Sequence, residues 1–150
     1  MKHKYVIVDT DVFSFLWQNR PEGVPYESML RGSILALSFT SVAEAYFGAY
    51  NAGWGERKMR ALEAAIKPYL IVPYSVELAK LWGQLKRDAH RAGQPLGGNA
   101  HANDLWICAT AVLHQAPLAT HNRRHFEGIA NLTILSADDG DGDGDGETPA

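Results

Sequence analysis

The chain has 150 residues, enough for one domain that buries its own core without disulfide staples. Its 46% hydrophobic content suits a soluble globule, and the single cysteine, Cys108, excludes an intrachain disulfide or a cysteine-based metal site and favours a reducing, cytoplasmic setting. The net charge of −3 hides an asymmetry: residues 138–150, DDGDGDGDGETPA, hold six acids and no base, so the rest has 14 bases against 11 acids, a charge of +3.

Residues 5–8, YVIV, read as a buried strand that stops at Asp9, with Asp11 two positions on. The run is too short for the apolar region of a secretory signal, and no stretch approaches the ~20 apolar residues of a membrane span. Asp11 has a local explanation as a helix cap; Asp9, an acid ending a buried apolar strand, has a poor one. Residues 35–39 read as a second strand, with Glu44 in the first turn of the following helix, where Ser41 and Glu44 also fit an S-x-x-E capping box. In ERKMRALEAAIKP, Met59, Leu62 and Ile66 form a helical stripe closed by Pro68, and residues 70–72 make a third strand.

The segment SVELAKLWGQLKRDAHRAG sets Leu78, Leu81, Trp82, Leu85 and Ala89 on one helical face, with Ser75 as N-cap and Gly93 as stop. Its basic run, Lys86, Arg87, His90 and Arg91, reads as a solvated face at a helix C-terminus. NDLWICATAVLHQ reads as a central helix, apolar nearly all round, with Cys108 as a small buried hydrophobe; Asp104 is a first-turn acid, an N-cap or a site residue. Residues 117–120 form a fourth strand that leads into His121, Asn122, Arg123, Arg124 and His125, and residues 132–135 form a fifth. Residues 1–137 are thus one domain, and residues 138–150 a disordered acidic tail. Asp139, Asp141, Asp143 and Gly144 match the first half of a calcium loop, but its twelfth position falls on Ala150, so disorder is the preferred expectation.

Continuous apolar strands alternating with helices predict a three-layer α/β/α domain around a mostly parallel sheet of about five strands. Ligands in such folds sit outside the carboxyl ends of the strands. Asp9 and Asn122 stand at strand ends, and Glu44 and Asp104 near helix starts, so the acids can converge. Close carboxylates repel, and holding them ionised calls for a hard cation, Mg2+ with Mn2+ as its substitute. A cation so held suits phosphoryl chemistry, where it activates water and screens charge on the phosphate.

The order D-T-D at the first strand end, Glu44 in SVAEAYFG, Asp104 in DLWICATA, then PLATHNRRHF, resembles the PIN domain, and within it the toxin nucleases of VapBC-type toxin–antitoxin systems. The resemblance runs from residue 4 to about residue 136. Its most specific pieces are Asp104, Ile107, Ala109, Thr110 and Ala111 in one helix and Thr120, Asn122 and Phe126 in the last segment. It implies a Mg2+-dependent endoribonuclease in which Asp9, Glu44 and Asp104 hold the metal and Asn122 completes the catalytic set. Asn122 and His125 stand where that family frequently has Asp, so a second metal is expected to bind weakly or not at all. Thr10, Ser41 and Thr120 would hydrogen-bond metal-held water, and His121, Arg123, Arg124 and His125 would grip RNA phosphates.

The resemblance further implies a VapB-like antitoxin as partner, its segment filling a groove, and a homodimer. Trp17, Tyr26, Met29 and Leu30 would line such a groove or else belong to the core. Trp17, Trp54 and Trp106 stack on bases or, the preferred reading, pack inside. Two alternatives stay open. One is a haloacid-dehalogenase-like phosphatase with Asp9 as nucleophile, Asp11 as acid and Asp138–Asp139 as its late acidic pair. The other is a non-catalytic PIN-like domain that binds RNA or protein.

Overall fold

The computed structural model describes residues 3–138. In chain order they form β1 (Tyr5–Val8), α1 (Thr10–Trp17), α2 (Val24–Leu30), β2 (Ile34–Ser38), α3 (Phe39–Asn51), α4 (Glu56–Ile66), β3 (Leu70–Val72), α5 (Val76–Arg91), α6 (Ala102–Leu113), β4 (Leu118–Ala119) and β5 (Ile134–Leu135). The readings of the tail as disordered or as a calcium loop fall, from Asp139 onward, on residues outside those described.

All pairings in the five-stranded sheet are parallel, in the order β3-β2-β1-β4-β5. Ile7 registers with Ala36 on one side and with Leu118 on the other. Successive strand side chains point to opposite faces, and the core divides accordingly. Val6, Val8, Leu37 and Ala119 face a cluster with Val12 and Phe13 of α1, Tyr26 and Leu30 of α2, Ala49 of α3, and Leu62 and Ile66 of α4. Ile7, Ala36 and Leu118 face the other cluster, with Ala89 of α5 and Leu105, Ile107, Cys108 and Ala111 of α6. The expected α/β/α layering follows from this alternation, and α6 is the central helix its composition predicts.

Local signals hold at α5, where the Ser75 hydroxyl accepts from the Leu78 N–H and Gly93, at φ 69°, ends the helix in the left-handed conformation. They fail at α3. The strand stops at Ser38, whose hydroxyl accepts from the Thr40 N–H, so the helix starts before Ser41. Glu44 therefore lies in the second turn, and the expected capping box with Ser41 does not exist. The α2 helix carries no long apolar stripe and was not expected; Tyr26 and Leu30 are core residues, so the groove drawn from Trp17, Tyr26, Met29 and Leu30 is not there. Trp17 packs edge-to-face on Trp54 at 5.7 Å, and Trp106 stacks on Trp82 at 5.2 Å, both within the packing of the domain. No helix among the described residues is long and apolar enough to cross a membrane.

Candidate active site

The chain winds β1, β2, β3 to one side of β1 and then returns to lay β4 and β5 on the other. The strand order reverses between β1 and β4, and in such sheets ligands sit beyond the carboxyl ends of the strands at that point. Asp9 follows Val8 at that point. Its Oδ1 accepts from the Thr10 N–H at 2.8 Å, which makes Asp9 the N-cap of α1. Its Oδ2 accepts from Thr120 Oγ1, beyond β4, at 2.6 Å. The Thr120 hydroxyl in turn accepts from the Asn122 N–H at 3.0 Å.

Asp11, in the first turn of α1, accepts at Oδ1 from its neighbour Val12 N–H and at Oδ2 from Asn122 Nδ2 at 2.6 Å. Thr10, between the two acids, donates from Oγ1 to Glu44 Oε1 at 2.6 Å and lies 2.9 Å from Ser41 Oγ. The other oxygen of Glu44 accepts from Asn103 Nδ2 at 2.9 Å, one residue before Asp104. Asp104 occupies the first turn of α6 and is not its N-cap. Its Oδ2 lies 2.9 Å from His125 Nδ1 and 3.4 Å from His101 Nδ1. Hydrogen bonds thus join Asp9, Asp11 and Asn122 around Thr120, while Thr10 and Asn103 hold Glu44 beside them. Asp104 pairs instead with His125 and His101, and among the described residues these three, not Asp9, Glu44 and Asp104, bring their ligand atoms within 4.8 Å of one another.

The electrostatics of the rim are unfavourable without a counter-charge. Asp9 is 3% exposed. Burial, and after it the charges of Asp11 and Asp104, hold its carboxyl well above the ordinary range, although the Thr120 and Thr10 hydrogen bonds pull the other way. Burial raises Asp11 as well, with Asp104 adding to it and the Val12 N–H opposing. A cation among these oxygens removes the repulsion and the desolvation cost together. The donor set, carboxylates and one amide with no sulfur, is that of a hard divalent ion. Cys108 is buried in α6 and its thiol is pushed up to about 12, mainly by burial, so it is neither ligand nor nucleophile here.

The basic segment after β4 divides. His121 Nδ1 meets the Tyr26 hydroxyl at 2.9 Å, and its ring lies edge-on to Phe15 and Tyr26. His125 is turned onto Asp104, so two of the four expected phosphate contacts have other partners. Arg123 and Arg124 lie between them on the 3-10 turn Arg123–Phe126. The other basic run is braced locally: Lys86 donates to Gly97 O and Asn99 Oδ1, and Arg87 pairs with Asp88. Sequence reasoning missed Asn103, which is adjacent to Asp104, and His101, which lies three residues before it, the helical spacing that brings two side chains together. A cavity of about 250 Å3 beside the acids is lined by Thr10, Phe13, Trp17, Glu44, Ala45 and Trp54, among others.

The PIN domain family matches residues 6–132 of the chain. Ribonuclease VapC1 of Haemophilus influenzae strain R2866 is 28% identical over 128 residues, 84% of this chain and 92% of the relative. The tRNA(fMet)-specific endonuclease VapC of Salmonella typhimurium is 27% identical over 128 residues, 85% of this chain and 94% of the relative. Among solved structures, VapBC-1 from nontypeable Haemophilus influenzae matches with a TM-score of 0.73 at 28% identity, over 88% of this chain and 97% of that one.

Proposed function

The chain belongs to the PIN domain family, and on that premise we propose that it is a Mg2+-dependent endoribonuclease, the toxin of a toxin–antitoxin pair, acting in the cytoplasm. The burial of Asp9 beside Asp11 and Asp104, whose charges help hold its carboxyl above the ordinary range, with Glu44 tied to the same strand end through Thr10, carries this reading. The family match also displaces the phosphatase alternative.

Asp9, Glu44 and Asp104 would hold the metal. When bound, Mg2+ supplies a Lewis acid that lowers the pKa of coordinated water and neutralises charge on the phosphate. The chain does the rest. Thr120 and Thr10 fix the carboxylates of Asp9 and Glu44 so that their orientation is set before a cation arrives. Asn122 holds Asp11 at the same rim and offers its amide oxygen where an acid would stand in a fuller set. Arg123 and Arg124, on the turn that follows β4, take the RNA phosphates. An antitoxin segment like that of a VapB protein fits the cavity between α1 and α3, next to Glu44 and the aromatic edges of Trp17 and Trp54. A homodimer completes the assembly.

The test is purified protein with labelled total RNA, in Mg2+ and in EDTA, alongside Asp9→Asn. The expected result is cleavage by the wild type in Mg2+ only, with the variant folded and slower by orders of magnitude. Equal cleavage by the variant, or cleavage in EDTA, would overturn the proposal. Asn122 in the place of an acid favours one second reading, RNA binding without cleavage; the same assay then shows retention of RNA and no products.

A further inference from the structure

We propose that His101, Asp104 and His125 form a cation site distinct in chemistry from the all-oxygen rim, one that takes a borderline transition ion such as Zn2+. His101 ends the 3-10 turn Asn99–His101, Asp104 lies in the first turn of α6, and His125 comes from the turn Arg123–Phe126 after β4. One ligand atom from each residue falls within 4.8 Å of the other two. The imidazoles approach the same carboxylate oxygen, at 2.9 Å and 3.4 Å, with ring centroids 4.2 Å apart.

A tetrahedral ion with bonds of about 2.1 Å sets its donors about 3.4 Å apart. The two spacings to the Asp104 oxygen, 2.9 Å and 3.4 Å, lie just below and at that value, and the third is within 4.8 Å, so small side-chain rotations convert the hydrogen-bonded cluster into a coordination shell. All three residues are partly exposed, which leaves an entry path and room for a water in the fourth position. Two imidazoles and one carboxylate select Zn2+ or Co2+ over Mg2+, which prefers oxygen and keeps its waters. The turn carrying His125 is anchored by the buried Phe126, and the His125 N–H donates to Asn122 O at 3.0 Å, so the donors are held by packed backbone.

Asp104 is shared. An ion here engages the carboxylate that the nuclease proposal assigns to Mg2+, but the binding itself does not rest on that proposal and is measured without RNA. The probe is Co2+ added to the untagged full-length protein, followed by its visible absorption. One equivalent is expected to bind with the band intensity of a four- or five-coordinate centre. Zn2+ should displace it stoichiometrically and millimolar Mg2+ should not. His101→Ala and His125→Ala should each weaken binding at least tenfold, whereas His114→Ala, at an exposed histidine elsewhere, should not change it. Thermal melts check that the variants fold, and His125→Gln repeats the test with a side chain of similar size. Absence of the band, its survival in both histidine variants, or its loss to Mg2+ would overturn the assignment.

Discussion

Asp9 combines two good hydrogen bonds with a poor electrostatic position. Its folded-state carboxyl titrates above the unfolded value of about 3.9. The folded chain therefore holds more protons than the unfolded one across the interval between the two pKa values, and stability falls as pH rises through it. Without metal, Asp9→Asn should melt higher than the wild type at pH 7, by about 2–4 °C for each ~1 kcal/mol relieved in a domain of this size. The gap should close near pH 4, where the wild-type carboxyl is protonated, and Mg2+ should raise the wild type more than the variant. Differential scanning calorimetry in EDTA and in Mg2+ reads all three; a variant that melts lower at pH 7 in EDTA refutes the electrostatic account. The strand-ending position of Asp9 made it conspicuous in the sequence. Its bond to Thr120, across 111 residues, was not legible, because nothing local fixes which strand lies beside β1.

At the scale of elements, one close approach is of backbone to backbone. A Cβ at Gly97 would lie 2.5 Å from the His90 backbone, so the turn Pro95–Gly97 packs on α5 with no space for a side chain. Gly97→Ala should cost about 1–3 kcal/mol in urea unfolding, while Gly98→Ala, whose nearest neighbour is at an ordinary 3.6 Å, should stay within about 0.5 kcal/mol. Tyr26 ties α2 to the far end of the sheet. Its hydroxyl accepts from the Ala137 N–H at 3.0 Å and lies 3.1 Å from Thr120 O and 2.9 Å from His121 Nδ1. Tyr26→Phe strands buried polar groups and should lose about 1–3 kcal/mol by the same measurement. The α5 helix was legible from its cap, stripe and glycine stop. The α2 helix was not, because seven residues carry too short a periodicity, and the start of α3 was misplaced because Ser38 serves as both strand end and helix cap.

Over the whole molecule, the layering was readable because each strand is a short apolar run between helical segments, and a parallel sheet demands both. Strand order and register were not, since they depend on which apolar faces meet. Charge is also a whole-molecule property: a body of +3 carries a tail of six acids, which from Asp139 onward lies outside the described residues. If the tail competes with RNA for the basic surface, ending the chain at Ala137 should tighten RNA binding at low salt. The gain should vanish near 1 M salt, where the screening length is about 3 Å. Filter binding across a salt series decides it; equal affinity at low salt excludes competition.

The convergence of Asp9, Glu44 and Asp104 on a shared divalent ion is tested most directly by anomalous diffraction from crystals soaked in manganese. A peak within bonding distance of the Asp9 and Asp104 carboxylates is the expected result. Well-ordered Asp9, Glu44 and Asp104 side chains with no peak among them would contradict the nuclease assignment.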